Sequence, residues 1–256
     1  IRTLYLLPPL KKREKNKNNK KINKKRLTEE RIIKKIFNGK FLVHNGNFEH
    51  LKYLKKSIGS ALLPKLLGSY EEPIQDWIKE IIKEKKYDLI LDLGCAEGYY
   101  AAGLAYTLKK TRVIGYDTDK KARELAKKMK IINNLKNLYI RGKCSEKELN
   151  EMCKNKKTLI LCDIEGGETA LLNPKRVPNL KNTDLIIESH DFINKNTTEK
   201  LIDRFYQTHK IEIKIDYKKR LNEYKTPNKC SKDDFKKIVD EKRPKKMKFL
   251  RLTKIK

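Results

Sequence analysis

From residue 88 onward, short apolar runs alternate with amphipathic segments of helical length, and this alternation constrains the fold more than any other feature. The apolar runs predict strands over 88–93, 111–117, 137–141, 157–163 and 183–189. The segments between and after them predict helices over 97–110, 119–133, 145–154, 166–173 and 197–208. Because strands joined by helices of this length form right-handed crossovers, the sequence predicts a doubly wound, mainly parallel sheet.

Both ends of the chain depart from this alternation. The segments KIEIKIDYK and MKFLRLTKI predict an antiparallel C-terminal strand pair, which completes a seven-stranded sheet, and we expect no helix in the polar stretch 219–245 between them. Upstream, Thr28 predicts the N-cap of a short helix, and apolar residues between Phe48 and Leu67 recur at helical spacing with a break near Gly59. The segment EEPIQDWIKEIIKEK is typical of an amphipathic helix. The predicted organisation is a basic low-complexity tail over 1–27, an N-terminal helical extension or cap over 28–86 and an α/β domain over 87–256.

The chain is strongly basic, with 63 Lys and Arg against 33 Asp and Glu and a formal net charge of +30. A charge of this size is typical of proteins that bind nucleic acid, so RNA is one candidate partner. Lys, Asn and Ile share A/T-rich codons and are all abundant here, which makes genome composition an alternative source of the charge. The segment KKREKNKNNKKINKKR at 11–26 is too polar to pack in either case.

Nothing in the sequence predicts a membrane or secreted protein. No stretch approaches the roughly 20 apolar residues that span a bilayer. The opening IRTLYLLPPL has only a short apolar run, which Pro8 and Pro9 end, so it does not resemble a secretory signal. The five cysteines form no CxxC pair, which favours reduced thiols. We therefore expect a cytoplasmic chain; the sequence does not indicate its oligomeric state.

The first predicted strand runs into a turn of small residues, LDLGCAEG, with Gly94, Ala96 and Gly98 at alternate positions. Small residues let a backbone approach a ligand closely, and the N-terminus of the next helix attracts a carboxylate or phosphate. The GxGxxG spacing of dinucleotide-binding turns is absent. A tight strand-to-helix turn also favours glycine, so a purely structural role for the turn stays open.

The second predicted strand ends at Asp117, whose carboxylate is placed to accept hydrogen bonds from both ribose hydroxyls of a nucleoside. Asp119 is a candidate helix cap. The turn after the first strand resembles the first motif of class I S-adenosylmethionine (SAM)-dependent methyltransferases, with Ala96 in place of the middle glycine. That resemblance implies a Rossmann-like fold and SAM as cofactor. The predicted cofactor-binding residues are Asp92, Gly94, Cys95, Ala96, Gly98, Asp117, Thr118, Cys144 and Asp163.

The fourth and fifth strands end in DIEGGE at 163–168 and ESH at 188–190. Together with GCAEGYY, these motifs resemble the FkbM-type methyltransferases, in which a turn with aromatics, a D-x-E-G-x-E motif and an E-x-H motif recur in this order. The resemblance covers about residues 88–192. Because members of that family are typically O-methyltransferases, it implies a hydroxyl acceptor.

Polar side chains at these strand ends are the candidates for the chemistry. Asp163 ends a buried strand, where an unpaired charge is costly. His190 can accept a proton near neutral pH, although a lone histidine there can also be structural. The predicted catalytic residues are Asp163, Glu188 and His190. Two carboxylates and one histidine are too generic to predict a metal site.

Three further residues are predicted to bind substrate, and each has a structural alternative. Tyr70 and Glu71 precede the amphipathic helix, but Ser69 can equally be its N-cap, with Glu71 in its first turn. Glu165, like Glu168, can simply complement a helix N-terminus.

The sequence therefore predicts methyl transfer from SAM to a hydroxyl of a small-molecule, sugar or lipid-linked acceptor. One alternative is an RNA or rRNA methyltransferase that uses the basic surface. Another is a catalytically silent SAM-fold protein that binds nucleic acid or acts as a scaffold. An Asn-Pro-Pro-Tyr-like motif, typical of base N-methylation, is absent from the end of the fourth strand.

Overall fold

The computed structural model describes residues 26–216, 224–243 and 247–255. The strands are β1 (Leu89–Leu93), β2 (Arg112–Tyr116), β3 (Leu138–Arg141), β4 (Thr158–Cys162), β5 (Asp184–Ser189), β6 (His209–Ile215) and β7 (Lys248–Lys254). They form one seven-stranded sheet of order β3-β2-β1-β4-β5-β7-β6. The pairs among β1 to β5 are parallel, whereas β7 runs antiparallel to both β5 and β6.

Helices cover both faces of this sheet. They are α1 over residues 26–36, α2 (Leu62–Leu67), α3 (Gln75–Glu84), α4 (Tyr99–Thr107), α5 (Lys120–Ile132), α6 (Glu146–Cys153), α7 (Glu168–Leu171), α8 (Thr197–Phe205) and α9 (Lys232–Val239). Three 3₁₀ helices add Gly46–Phe48, Glu72–Ile74 and Pro178–Asn182. The doubly wound α/β class and the antiparallel C-terminal strands are therefore confirmed.

The sheet divides the core into two hydrophobic clusters. Ile90 of β1 belongs to the cluster that includes Trp77 of α3 and Leu104 of α4. Its neighbour Leu91 points to the other face and belongs to the cluster with Leu149 of α6. Because both faces are covered, every residue of β1 and of β4 is buried, which explains why these strands are apolar apart from Asp92 and Thr158.

One C-terminal prediction is wrong: a helix does form within the polar stretch 219–245. Ser231 caps α9 by accepting a hydrogen bond from the backbone N–H of Asp234. Ile238 and Val239 are buried and join the core cluster, and α9 packs against α2. Phe235, Ile238 and Val239 do stand at helical spacing, but α9 is only eight residues long and lies in a polar, Lys-rich stretch whose composition favours a loop.

The N-terminal part is less helical than predicted. Between Phe48 and Leu67 only α2 is α-helical, because the backbone has positive φ at His50 as well as at Gly59, where the sequence predicts a break. Thr28 lies inside α1 rather than at its N-cap.

Two other expectations concern the ends of elements and of the chain. Ser69 is buried beyond the end of α2 and does not cap the next helix, whose N-cap position holds Glu71. The predicted tail 1–27 lies outside the described residues except for its last two. Among the residues that the structure describes, no helix is long and apolar enough to cross a membrane.

Candidate functional site

A cavity of about 1140 Å³ opens at the carboxyl ends of the parallel strands. It lies where the strand order reverses between β1 and β4, the usual position of ligand sites in open α/β sheets. Its β1–β2 half is lined by the residues that follow those strands, including Gly94, Ala96 and Asp117. Its β4–β5 half is lined by Glu71, Asp163, Glu188, His190 and Arg243.

The turn after β1 is held against the neighbouring strands by close backbone contacts. The backbone N–H groups of Gly94 and Cys95 both donate to the carbonyl of Tyr116 at the end of β2, at 2.9 Å. A Cβ atom added at Gly94 would lie 1.7 Å from the carbonyl oxygen of Asp163, and φ there is +84°. Position 94 therefore accepts only glycine, since any side chain would separate the ends of β1 and β4.

Asp117 closes the same turn from the side of β2. Its Oδ2 accepts a hydrogen bond from the backbone N–H of Ala96 at 2.8 Å, and its Oδ1 accepts one from the N–H of Asp119 at 2.7 Å. Both carboxylate oxygens are thus fixed at the cavity wall and keep lone pairs for a ligand. Asp119 itself caps α5 by accepting from the N–H of Lys121, as predicted.

Asp92 is buried at the end of β1, with 5% of its surface exposed, and its Oδ2 has no hydrogen-bond partner within the described parts of the chain. Burial raises its pKa to about 8, opposed by a backbone hydrogen bond from Ala101. Burial also raises the pKa of the Cys144 thiol to about 12 and that of Cys95 well above its usual value. The two thiols therefore act as small apolar wall residues at neutral pH.

His190 is the centre of the β4–β5 half, and its side chain is 3% exposed. Its Nδ1 lies 2.8 Å from Oε1 of Glu168, and its Nε2 lies 3.5 Å from both Asp163 Oδ1 and Glu165 Oε2. In the neutral ring that donates from Nδ1 to Glu168, Nε2 carries the lone pair. Nε2 and two carboxylate oxygens therefore converge on one point, which suits a proton or a cation.

The pKa values in this half follow from burial among like charges. Burial raises the pKa of Asp163 to about 7, with a further contribution from Glu71. Burial alone lowers the pKa of His190, but the hydrogen bond to Glu168 and the charge of Asp163 outweigh it and raise the value. Asp163 and His190 can therefore exchange a proton near neutral pH.

Arg243 ties a segment far along the chain to this half. Its guanidinium forms ion pairs with Glu188, with Glu71 at 3.2 Å, with Glu241 at 2.8 Å and with Asp216 at 3.4 Å. Its side chain is only 14% exposed. Burial and the charges of Glu71 and Asp163 nevertheless raise the pKa of Glu188 well above its usual value, against the opposing charge of Arg243.

A second buried ion pair links the N-terminal part to the turn after β1. Lys65 Nζ of α2 lies 2.5 Å from Glu97 Oε1, and both side chains are almost fully buried. Tyr53 and Ser57 also donate to Glu97, each at 2.6 Å. Burial would raise the pKa of Glu97, but Lys65 and these hydroxyls outweigh it and lower the value. The pair fixes α2 beside the cavity.

A family model of FtsJ-like methyltransferases matches residues 74–224, more than half of the 256-residue chain. The chain belongs to the FtsJ-like methyltransferase family. It is therefore a class I, SAM-dependent methyltransferase with the fold described above. The finer resemblance to FkbM-type enzymes stays a prediction. No curated protein matches this FtsJ-like methyltransferase.

Solved structures resemble this FtsJ-like methyltransferase in fold. A putative O-methyltransferase from Klebsiella pneumoniae is 10% identical, with coverage of 70% of this chain and 79% of that chain and a TM-score of 0.46. An rRNA methylase from Streptococcus thermophilus is 14% identical, with 73% and 99% covered and a TM-score of 0.47. An O-methyltransferase of tomaymycin synthesis from Streptomyces achromogenes, solved with SAM, is 9% identical, with 78% and 83% covered and a TM-score of 0.46. At these identities the likeness does not identify the acceptor.

SAM is the methyl donor of this FtsJ-like methyltransferase, and the residues of the β1–β2 half fit it. Asp117 presents a fixed carboxylate suited to a ribose diol, and Gly94 and Ala96 bring backbone close to the cavity. The unpartnered Oδ2 of Asp92 supplies a further acceptor.

The cavity brings together all but one of the predicted site residues of the FtsJ-like methyltransferase. Gly98 does not line it; at φ +93° it forms the N-cap of α4 and packs on Ala126. Gly98 therefore allows the tight turn between β1 and α4. The predicted residues that do line the cavity are Tyr70, Glu71, Asp92, Gly94, Cys95, Ala96, Asp117, Thr118, Cys144, Asp163, Glu165, Glu188 and His190.

Sequence reasoning missed Lys65, Glu241 and Arg243, which also line the cavity. All three lie outside the residues that the family model matches. Lys65 had a detectable signal, as a lysine among five Leu and Pro residues in LLPKLL. Glu241 and Arg243 stand in a Lys-rich stretch where charge alone distinguishes nothing.

Proposed function

We propose that this methyltransferase transfers the methyl group of SAM to a hydroxyl oxygen of a small-molecule or sugar acceptor bound in the β4–β5 half. The observation that carries the proposal is the convergence of His190 Nε2 and Asp163 Oδ1 at 3.5 Å, with the other ring nitrogen of His190 held by Glu168. A hydroxyl is a weak acid, so its oxygen becomes a good nucleophile only if the site takes its proton. This cluster is suited to do so near neutral pH.

Bound SAM supplies a methyl group on a positively charged sulfur. The chain then has to hold the acceptor oxygen in line with that methyl group, which can supply much of the acceleration. Asp117, Asp92 and the turn at Gly94 fix the cofactor in this proposal. Asp163 and Glu188 bind the acceptor, and His190 and Asp163 receive its proton.

The charge of the β4–β5 half supports a small acceptor over a phosphate backbone. Five carboxylates line it, and Arg243 is already paired with four carboxylates. A phosphodiester entering this half would meet net negative charge, whereas a sugar or other polyol would find hydrogen-bond acceptors. The carboxylates are Glu71, Asp163, Glu165, Glu188 and Glu241.

Tyr70 and Glu71 support the same assignment from the N-terminal side. Tyr70 is buried between Tyr99 and Tyr100, with ring centroids 5.3 and 6.3 Å away, and forms an apolar wall of the cavity.

We propose that residues 28–86 cap the catalytic domain over 87–256, since both Tyr70 and Glu71 come from this part. The FkbM-type resemblance, based on residues 163–168 and 188–190, agrees with a hydroxyl acceptor.

RNA methylation is the second candidate, because the net charge of +30 suits a phosphate backbone outside the cavity. In that case a nucleotide of single-stranded RNA, or one turned out of a duplex, would enter the cavity and present a hydroxyl to His190 and Asp163. The remaining alternative is a nucleic-acid-binding scaffold, in which RNA would bind to the chain but no acceptor would be methylated.

The test is a screen for transfer of label from methyl-labelled SAM to separate pools of sugars, hydroxylated metabolites and RNA. The proposal expects an alkali-stable methyl ether on a small acceptor, with activity almost unchanged by added salt. Label in RNA, lost steeply as salt rises, would replace it with the RNA alternative. Tight RNA binding with no methylated product in any pool would favour the scaffold.

A further inference from the structure

We propose that Asp163, Glu165 and His190 bind a divalent cation of the first transition row at the β4–β5 half of the cavity. The ligand atoms are Asp163 Oδ1, Glu165 Oε2 and His190 Nε2, which all lie within 4.8 Å of one another. Nitrogen and carboxylate oxygen together suit Mn²⁺, Fe²⁺ or Zn²⁺. The inference rests on the proposed function for the place of the acceptor and changes how the acceptor loses its proton. With an ion on Nε2 and Oδ1, these two atoms cannot accept that proton, and the ion would instead lower the pKa of the acceptor hydroxyl.

The two distances from His190 Nε2 fit a cation as they stand, and the two carboxylate oxygens lie within 4.8 Å of each other. Nε2 lies 3.5 Å from each of the two carboxylate oxygens. Two ligand atoms that each lie about 2.1 Å from a cation, with a tetrahedral ligand–cation–ligand angle, are about 3.4 Å apart. A hydrogen bond between these atoms would draw them closer, to about 2.8 Å. The spacing is therefore that of atoms around a cation rather than atoms bonded to each other.

The ring of His190 is already oriented as a metal ligand. Glu168 is fully buried, and its Oε1 holds Nδ1 of His190 at 2.8 Å while also accepting from the N–H of Gly166 at 3.1 Å. A carboxylate that accepts from one ring nitrogen leaves the other as the donor atom for a metal and raises its basicity. This arrangement gives the fully buried Glu168 a role in orienting the ring.

A second observation, independent of the ring orientation of His190, is that one carboxylate oxygen of Asp163 lacks a hydrogen-bond partner among the described residues. Its Oδ1 is buried and accepts no hydrogen bond from the described residues, although it faces Nε2 across the cavity. The Asp163 side chain is 40% exposed, but this oxygen is itself shielded from solvent, and a shielded carboxylate oxygen without a partner is costly. Glu165 gives an ion access from solvent, since its side chain is 72% exposed while its Oε2 lies 3.5 Å from His190 Nε2.

The neighbouring carboxylates favour this set over the adjacent one. Glu71, Asp163 and Glu188 also lie close enough to hold an ion, but the guanidinium of Arg243 already pairs with both Glu71 and Glu188. A cation at His190 would add positive charge beside Asp163 and Glu165, neither of which pairs with Arg243. It would lower the pKa of an acceptor hydroxyl beside it, and Glu188, which pairs with Arg243, would stay outside the set of cation ligands.

The test uses the full chain, stripped of metal with a chelator and titrated with Mn²⁺ alone, with free Mn²⁺ followed by electron paramagnetic resonance. Mn²⁺ is chosen because thiols such as Cys230 bind it poorly. We expect one ion per chain. His190→Ala and Asp163→Asn should each weaken binding at least about tenfold, and Glu168→Gln about tenfold through the orientation of the ring.

Two further variants keep the result decisive. Glu165→Gln changes an exposed side chain that cannot unfold the protein, and it should also weaken Mn²⁺ binding about tenfold. Glu146→Gln is the matched control: Glu146 lines the same cavity but pairs with Arg176 at 2.6 Å, so Mn²⁺ affinity should not change. Mn²⁺ binding that is absent, or equal in the wild-type chain and Glu165→Gln, overturns the proposal.

The outcome is separable from that of the proposed function. Specific Mn²⁺ binding without methyl transfer to any hydroxyl would keep the metal site and remove the O-methyltransferase assignment. Methyl transfer to a hydroxyl that continues undiminished in excess chelator would do the reverse.

Discussion

On the side of β1 and β2, the cavity wall consists of backbone turns and small residues, and Asp117 is held by two backbone N–H groups. On the side of β4 and β5, the wall consists of buried carboxylates around His190 and Arg243. The first half is formed by residues within one strand-turn-helix unit and its neighbour. The second joins Glu71, Glu188 and Arg243, which are up to 172 positions apart in the chain.

This difference shows which half tolerates change. The β1–β2 half is determined by backbone geometry, so the same cofactor can be bound with several side chains. The β4–β5 half depends on charge balance among buried groups, where removal of one partner leaves an uncompensated charge. We therefore expect substitutions in the two halves to affect different measurable quantities.

The largest expected effect concerns Asp92, the buried acid in the β1–β2 half. Its pKa is raised to about 8 in the folded chain by burial, whereas an unfolded chain titrates it near 4. Between these values the folded state holds a proton that the unfolded state has released, so the free energy of unfolding falls as pH rises. The loss amounts to at most about 5 kcal/mol.

Asp92→Asn removes this titration. Urea unfolding should show the variant gaining stability relative to the wild-type chain between about pH 5 and about pH 8.5. Parallel stability curves for the two proteins across that range would show that Asp92 is ionised in the folded chain.

The next prediction removes the guanidinium from the β4–β5 half. Arg243→Met should lower the free energy of unfolding by about 3–5 kcal/mol, because Glu71 and Glu188 lose their buried partner. The control is Lys242→Met, an adjacent cation whose side chain is 45% exposed and whose loss should cost less than about 1 kcal/mol. Equal losses in the two variants would show that the buried network does not hold this half together.

Asp117→Ala tests the β1–β2 half directly. A pair of charge-assisted hydrogen bonds to the ribose is lost, so SAM affinity should fall by about 2–3 kcal/mol, or roughly 30- to 150-fold in Kd. Isothermal titration calorimetry with SAM measures it. Unchanged affinity would leave Asp117 with a role in closing the turn and none in binding the ribose.

The sequence was sufficient for the β1–β2 half because its signals are local. The strand β1, the turn with Gly94 and the following Asp117 stand close together in the chain. The residues next to each of them are enough to predict its structure and its position. Arg243 was not predicted, because its role depends on which distant residues it meets. Lys65 and Glu97 likewise find each other only through the fold. The helix α9 does have local signals, an N-cap at Ser231 and two acidic residues in its first turn, but the polar, Lys-rich composition around them favours a loop.

Substitutions at the acceptor edge should affect turnover and leave SAM binding intact. His190→Ala and Asp163→Asn should each lower turnover at least about tenfold, the lower range for a positioned base. Steady-state rates with saturating acceptor measure this, and calorimetry with SAM is the control. A full rate in His190→Ala would show that alignment alone carries the reaction. A parallel loss of SAM affinity in Asp163→Asn would contradict the separation of the two halves.

The smallest effect is expected at Asp119, a carboxylate on the rim of the same cavity and two residues from Asp117. It caps α5 by accepting from the N–H of Lys121 at 2.7 Å, so Asp119→Ala should lower the free energy of unfolding by about 1 kcal/mol. Asp119→Asn keeps an acceptor and should recover most of that stability. SAM affinity should be unchanged in both variants, because the carboxylate of Asp119 points along the helix N-terminus while that of Asp117 faces the turn. A loss of SAM affinity in Asp119→Ala close to that of Asp117→Ala would move the ribose contact to the cap, and the β1–β2 half would then depend on side-chain charge in the same way as the β4–β5 half.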